Sequence, residues 1–253
     1  KLKFPTKGFE FEPQRSLHDH FENIRRLTDR GVFCRSMDHY MHAKVVLADD
    51  FEALISSANL SSNSLGWGRQ PAREAGLLIR SPGFAETMGT FFADLWGASP
   101  YRMHTRLGDI DLVEEKGTEL PAKLLARSLD QGRVVLSVPP KHFLLMDELV
   151  VACRQARESI LLVCMSCYDL ELVPPLLTAL RDAILRGVSI TLVVRKGFWG
   201  KAVWPDEGLD ELHKAGMRIK CIKDLHAKGL VVDGKQGGVF SGNINPYSLN
   251  FTG

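Results

Sequence analysis

Two segments of the chain carry the same polar residues at the same spacing. In each, a lysine follows a histidine by two positions, an aspartate by seven, a serine by fifteen and an asparagine by seventeen. The two sets are His42, Lys44, Asp49, Ser57 and Asn59, and His226, Lys228, Asp233, Ser241 and Asn243. Because these spacings recur together, the two segments form an internal repeat.

The repeated residue types suit chemistry on a phosphodiester. Ammonium and amide groups can neutralise the phosphate charge. One imidazole can attack phosphorus, and another can protonate the leaving oxygen and then take a proton from water. Each copy supplies half of this set, so two copies that face each other would complete it. We predict one shared site, with catalytic residues His42, Lys44, Asn59, His226, Lys228 and Asn243 and with Asp49, Ser57, Asp233 and Ser241 in support.

The chain resembles the phospholipase D superfamily of phosphodiesterases. The resemblance lies in the duplicated pattern, in which HxK is followed after four residues by D and later by a GSxN-like segment. The resemblance implies a two-step route through a phosphohistidine, without metal or cofactor. The near-identical motifs do not decide which histidine attacks, although family habit favours His42 as nucleophile and His226 as acid. The resemblance also implies that Glu74, in an E-x-G strand after the first motif, hydrogen-bonds the catalytic histidine of its own lobe.

The sequence between the motifs predicts an α/β protein. Short β-branched runs after each histidine are typical of buried strands. Strands alternate with helices in the second half, which favours a mostly parallel sheet with right-handed crossovers. The resemblance implies two pseudo-twofold-related lobes, each a mixed, mostly parallel sheet flanked by helices. We assign them to residues 1–98 and 132–253, joined by a connection at 99–131, and we expect further lobe structure before the first motif and after Gly253.

The sequence also predicts the individual helices and strands. The helices are at 17–29, 84–96, 121–129, 146–157, 174–186 and 207–215, and the strands are at 32–35, 74–79, 133–138, 159–165, 188–194, 217–222, 228–232 and 238–241.

The composition is that of an ordinary globular protein. The chain has 253 residues, of which 45% are hydrophobic and 25% charged, and its net charge is +2. That charge alone does not indicate a nucleic-acid partner, and no run of about 18 apolar residues predicts a membrane span. The five cysteines have no regular spacing, which favours buried, reduced thiols and a cytoplasmic location.

The substrate class is predicted from the residues around the first motif. The segment Ser57–Leu65, followed by Arg73–Ile79, resembles nuclease-type and helicase-associated members of the superfamily. Lipid-synthesising members usually have an Arg-Ser pair directly after the asparagine, and neither copy here has one. We therefore predict a nuclease with a possible helicase or DNA-processing partner. The alternative is a phospholipase D or a phosphatidyltransferase of the cardiolipin-synthase type.

Two loops carry basic and aromatic residues that could contact phosphates and bases next to the scissile bond. We predict substrate contacts from Trp67, Arg69 and Arg73 after the first motif, and from Arg195, Lys196, Trp199 and Lys201 in the loop 195–206.

Overall fold

The computed structural model describes residues 22–36, 42–69, 71–106, 109–118, 126–129, 132–135, 144–196 and 207–249. The chain divides into two compact units. One comprises Lys1–Met41 and Phe92–Leu120, and the other comprises His42–Phe91 and Pro121–Gly253. These units do not coincide with the predicted lobes. Both histidine motifs lie in the second unit, so the site can be described within one unit.

The described helices and strands are numbered in chain order. The helices are α1 (22–28), α2 (Pro82–Ala98), α3 (Leu144–Gln155), α4 (Pro174–Leu185) and α5 (Glu207–Lys214). The strands are β1 (Cys34–Ser36), β2 (Val45–Ala48), β3 (Glu52–Ser56), β4 (Gly76–Arg80), β5 (Tyr101–Arg106), β6 (Asp109–Glu114), β7 (Ala126–Leu129), β8 (Gly132–Val135), β9 (Ser159–Cys164), β10 (Ser189–Arg195), β11 (Arg218–Ile222), β12 (Gly229–Val232) and β13 (Gln236–Val239).

The second motif is carried by a five-stranded mixed sheet with the order β11-β10-β9-β12-β13. Strands β9, β10 and β11 are parallel, because α4 and α5 return the chain between them. Strand β12 runs antiparallel to β9, and Gly229 pairs with Val163 near the carboxyl end of β9. The residues just before β12, which include His226 and Lys228, therefore lie at that end of the sheet.

The core of this half follows from alternation along the strands. Ile160, Leu162 and Cys164 are buried on β9, and the neighbouring positions are more exposed. Leu176 and Leu180 of α4 belong to the same buried cluster. Burial of one such aliphatic side chain stabilises the fold by about 1.5–3 kcal/mol. This cluster gives the second motif a rigid support.

The first motif is carried by a smaller sheet with the order β2-β3-β4, in which neighbouring strands are antiparallel. The parallel pairing expected for this lobe is therefore not found in its described strands. The reason is local: a tight turn joins β2 to β3, and a parallel pair would need a long crossover. Ala53, Phe84 and Met88 form the small core beneath this sheet.

The other unit contains a three-stranded antiparallel sheet, β1-β5-β6. The Arg35 guanidinium bonds the Glu115 carboxylate at 2.5 Å and lies 5.1 Å from the Trp96 ring centroid. Prediction of 99–131 as a turn-rich connection missed the β5–β6 hairpin, although apolar and polar residues alternate in Tyr101–Arg106 and Asp109–Glu114. The helix predicted at 121–129 is wrong at 126–129, where β7 pairs with β8, and its first residues lie outside the described ranges.

The α/β class is confirmed, and most remaining elements of the second half lie within a few residues of their predicted positions. Residues 17–21 of the first predicted helix lie outside the described ranges. All five cysteines are free; Cys153, Cys164 and Cys167 are buried as predicted, whereas Cys221 is exposed because it lies on the edge strand β11. Among the described helices, none combines the length and apolar character needed to cross a bilayer.

Asp233 fixes the far end of β12. It has a positive φ of 53°, and its carboxylate accepts backbone N–H groups of Arg157, Glu158 and Ser159 at 2.8–3.3 Å. These hydrogen bonds hold the pKa of Asp233 below its usual value, and the bond from Ser159 has the largest effect. Asp49, the matching residue of the first copy, has a φ of 46° and is exposed.

The two aspartates provide a matched stability test. Asp233→Ala should lower the midpoint of thermal unfolding by several degrees, because three backbone N–H groups at the start of β9 lose their acceptor. Asp49→Ala should change it little. Both sites have positive φ, so the strain of an alanine is common to the two variants. Equal midpoints in differential scanning calorimetry would contradict the bracing role of Asp233.

Candidate active site

The second copy places its histidine and lysine in the extended segment just before β12. The Lys228 side chain is fully buried. Its Nζ donates to the His226 carbonyl at 2.7 Å and lies 3.1 Å from Nε2 and 3.2 Å from Nδ1 of the His226 ring. The ammonium and the imidazole therefore share one side of the backbone, as their two-residue spacing predicts.

The first copy repeats this arrangement. Nζ of Lys44 donates to the His42 carbonyl at 2.6 Å, just as Lys228 does to His226. The His42 imidazole is half-buried, and its pKa is affected by Lys228, by His226 and by the Ser241 backbone, all of the second copy. The two motifs therefore meet.

Glu74 links the two copies through its side chain. Nδ1 of His226 lies 2.8 Å from the Glu74 carboxylate. The buried Ser57 hydroxyl donates to the same carboxylate at 2.6 Å. The sequence resemblance had assigned Glu74 to the histidine of its own lobe, and that expectation is wrong. Glu74 joins Ser57 of the first copy to His226 of the second.

The reason is a backbone contact that sequence alone did not show. The Arg73 N–H donates to the Asp224 carbonyl at 2.6 Å, and the Arg73 carbonyl accepts N–H groups of His226 and Ala227 at 2.8 and 2.7 Å. Arg73 and Leu225 thereby form a parallel β-bridge. This bridge carries Glu74, the next residue, to His226.

The electrostatic environment favours an uncharged His42. Burial, followed by the charges of Lys44, Lys228 and His226, lowers its pKa to about 4. Burial also lowers the pKa of His226, and so do the two lysines, but hydrogen bonding to Glu74 and its charge act in the opposite direction. His226 is therefore the histidine with a carboxylate to support its protonated form.

The lysines and Glu74 are also perturbed. Burial lowers the pKa of Lys44 and of Lys228 to about 8. Burial acts to raise the pKa of Glu74, but hydrogen bonds from Ser57, His226 and Ser64 outweigh it and leave that pKa below its usual value. The site thus has one ionised carboxylate among two lysines and two histidines.

The two asparagines differ in setting. Asn243 is buried, and its Oδ1 accepts the Ser166 N–H at 3.4 Å, which leaves its amide NH₂ group as a potential donor. Asn59 is exposed, and its backbone carbonyl accepts the Ser61 N–H at 2.8 Å. Their roles as donors to phosphate stay a prediction.

The predicted substrate contacts fall in several places. Trp67, Arg69 and Arg73 are exposed on the segment between the first copy and Glu74. Arg195 is half-buried at the end of β10, and Lys196 beside it is exposed. The other two members of that loop, Trp199 and Lys201, lie outside the described residues.

Several contributors were not singled out from sequence. Ser64 helps to lower the pKa of Glu74, the Ser166 N–H donates to Asn243, and the Arg73 backbone hydrogen-bonds the second motif. These contacts form only in the folded chain and have no signal in the local sequence. Within the described residues, no cluster of three His, Cys, Asp or Glu side chains is arranged to hold a metal ion.

The similarity to known proteins covers the two segments that contain the histidine motifs. Residues 12–96 and 149–252 match a family model described as "Cardiolipin synthase, PLD-like domain". Cardiolipin synthase A of Serratia proteamaculans (strain 568) is 29% identical over 235 residues, which cover 86% of this chain. The match spans 44% of the length of that relative.

Solved structures were also compared. Phosphatidylserine synthase of Haemophilus influenzae Rd KW20 overlaps 91% of this chain and 62% of its own, with a TM-score of 0.57 and 13% identity. Nuc of Salmonella typhimurium, described as a phospholipase D family member, overlaps 41% of this chain and 67% of its own, with a TM-score of 0.35 and 21% identity. The likeness to the synthase supports the fold and, at this identity, nothing finer.

The Glu74–His226 contact predicts the direction of a pKa change. Removal of the carboxylate in Glu74→Gln should lower the pKa of His226, because the hydrogen bond and the negative charge both favour the imidazolium. Histidine NMR titration measures this. Glu52→Gln is the control, since Glu52 bonds Arg80 at 2.5 Å. An unchanged His226 titration in Glu74→Gln would contradict the contact.

The two lysines predict a loss of phosphate affinity at high pH. Their pKa of about 8 means that both ammonium groups lose their charge as the pH rises through that value. Binding of dimethyl phosphate, whose own charge is constant there, should weaken by roughly tenfold or more between about pH 7 and about pH 9.5. Lys44→Arg, which keeps its charge, should show a shallower decline. Calorimetry that finds constant wild-type affinity would contradict the assignment.

Proposed function

The chain belongs to the family of phospholipase D-like domains, and from that premise we propose that it transfers a phosphatidyl group between alcohols, as a cardiolipin synthase does. One observation carries the phosphodiester chemistry: Glu74, which follows the first histidine motif, holds His226 of the second through a 2.8 Å contact. Two lysines and two histidines are thereby gathered in one site.

The first step uses the histidines in opposite protonation states. The neutral imidazole of His42, with its pKa of about 4, attacks phosphorus. The bond from phosphorus to the leaving oxygen breaks as the bond from His42 nitrogen to phosphorus forms. His226 gives the proton on Nε2 to the leaving oxygen, while Nδ1 faces Glu74. The products are a free alcohol and a phosphatidyl-histidine.

The second step reverses the proton movement. An incoming hydroxyl gives its proton to Nε2 of His226 as its oxygen attacks phosphorus, and the bond to His42 breaks. A lipid alcohol yields a new phosphodiester, whereas water yields phosphatidic acid. Lys44 and Lys228 balance the charge on the phosphate oxygens in both steps.

The substrate also affects the protonation of His226. The charges of Lys228 and Lys44 lower the pKa of this histidine in the free protein. A bound phosphodiester places a negative charge beside those lysines and offsets their effect. Substrate binding therefore favours the imidazolium that the first step requires, and Glu74 keeps its ring oriented.

A lipid substrate has better support than the nucleic acid predicted from the sequence. The matching family model and the Serratia relative are both named for cardiolipin synthase. The net charge of +2 gives no general attraction for nucleic acid. The resemblance of Ser57–Leu65 to nuclease-type members has no comparable support, and a helicase partner has none.

A turnover panel tests the proposal. The protein should convert phosphatidylglycerol in vesicles, with chelator present, and a second lipid alcohol should divert product from phosphatidic acid to a new phosphodiester. His42→Ala and His226→Ala should each reduce this rate by a factor of about 100 or more, because nucleophile and proton carrier act as a unit. His213→Ala, on α5 and outside both motifs, is the matched control and should keep most of the rate.

Three outcomes would contradict the proposal. Cleavage of single-stranded DNA, duplex DNA or RNA without lipid turnover would restore the nuclease interpretation. Retention of near-wild-type lipid turnover by either motif variant would show that the two histidines do not form one site. Loss of activity on chelation would contradict the metal-free route.

A further inference from the structure

The loop 59–69, which we call the Trp67 loop, exposes large apolar side chains beside the active site. Trp67 is 84% exposed and Leu60 is 85% exposed. Leu65, between them in sequence, is 45% exposed. Single exposed apolar residues are ordinary on a protein surface, but several on one short loop next to catalytic residues indicate a contact surface.

The Trp67 loop is held in this form by its own backbone. The N–H groups of Trp67 and Gly68 both donate to the Ser62 carbonyl at 2.8 Å. Gly66 has a φ of +83°, and a Cβ on Gly68 would overlap the Asn63 side chain. Because the tryptophan is presented by an ordered turn, binding would cost little conformational entropy.

The second copy shows that exposure is not a general property of these repeat positions. Ile244 and Leu249 directly match Leu60 and Leu65 in the repeat. Ile244 is 1% exposed and Leu249 is 0% exposed, and both belong to the large core. The same positions are thus part of the core in one copy and face solvent in the other.

The positive charges in and beside the Trp67 loop favour a negatively charged partner. Between Ser57 and Glu74 the chain contains Arg69 and Arg73 and no Asp or Glu. Both arginines are exposed. Exposed aliphatic side chains and a tryptophan flanked by cations are suited to the interface of an anionic bilayer, where the ring lies at headgroup depth.

The Trp67 loop is also tied to the catalytic machinery. Ser64 of the loop is among the groups that lower the pKa of Glu74, and Glu74 holds His226 at 2.8 Å. The Ala72 N–H donates to the Asn63 carbonyl at 3.0 Å and closes the base of the loop. A membrane that contacts this loop would therefore bring lipid phosphodiesters to the histidines.

From these observations we propose that the Trp67 loop docks the active site onto an anionic lipid bilayer. The proposal rests on the proposed function, since a lipid phosphodiester is the substrate that such docking would deliver. It assigns Trp67 and Leu60 to the apolar contact and Arg69 to the anionic headgroups. It replaces the base-stacking role predicted for Trp67 from the sequence.

Vesicle co-sedimentation tests the proposal without any turnover, in the His42→Ala background. The protein should bind phosphatidylcholine vesicles that contain phosphatidylglycerol more tightly than vesicles of phosphatidylcholine alone. Trp67→Ser should weaken binding to the anionic vesicles about tenfold, and Arg69→Gln about fivefold. These values are taken at equal lipid concentration and low ionic strength.

Two variants match these changes away from the loop. Leu185→Ser alters a side chain that is 78% exposed and precedes β10, at the sheet end opposite to the site. Lys235→Gln alters an exposed cation in the turn after β12. Both should bind anionic vesicles like the parent protein. Equal losses in these variants would mean that general charge or apolarity causes binding, and the proposal would be overturned.

The remaining outcomes separate this proposal from the proposed function. Undiminished vesicle binding by Trp67→Ser would overturn it. So would saturable oligonucleotide binding that Trp67→Ser abolishes while vesicles do not bind, or a dimer in analytical ultracentrifugation that Trp67→Ser dissociates. Loop-dependent vesicle binding without phosphatidyl transfer by the wild-type protein would support the docking surface and refute the proposed transfer reaction.

Discussion

The contact between Glu74 and His226 is the interaction on which the site depends. Two lysines and two histidines are partly or fully withdrawn from water in one place, and positive charge on several of these groups at once would oppose folding. Glu74 supplies the balancing negative charge, and Ser57 fixes its orientation through a 2.6 Å hydrogen bond. Without that carboxylate, the site would rely on deprotonation of its own lysines or histidines.

The same constraint explains why the two histidines differ although their motifs are nearly identical. The pKa of His226 is supported by a carboxylate, whereas the charges that act on His42 are those of Lys44, Lys228 and His226. In the proposed mechanism, an internal repeat thus yields a nucleophile and a proton carrier without a change of residue type. The asymmetry arises at Arg73, whose backbone pairs with the second motif and so directs Glu74 across to it.

Much of this arrangement could be predicted from sequence, because repeated spacing and β-branched runs are local signals. The motif residues, the α/β class and the strand–helix alternation of the second half follow from such signals. The partner of Glu74, the burial of Asn243 beside Ser166 and the exposure of Asn59 depend on contacts between distant segments. The β5–β6 hairpin was missed although Tyr101 and Met103 on β5, and Ile110 and Leu112 on β6, alternate with polar residues as strands do, because the many charged residues of 99–131 favoured a turn-rich connection.

In the proposed reaction, His42 carries the phosphatidyl group while His226 moves the proton. Its most direct test is to quench the protein under alkaline conditions during turnover of phosphorus-labelled phosphatidylglycerol and to map the labelled peptide by mass spectrometry. We expect an acid-labile label on His42 that is absent from His42→Asn. A label on His226, or turnover with no histidine adduct, would contradict it.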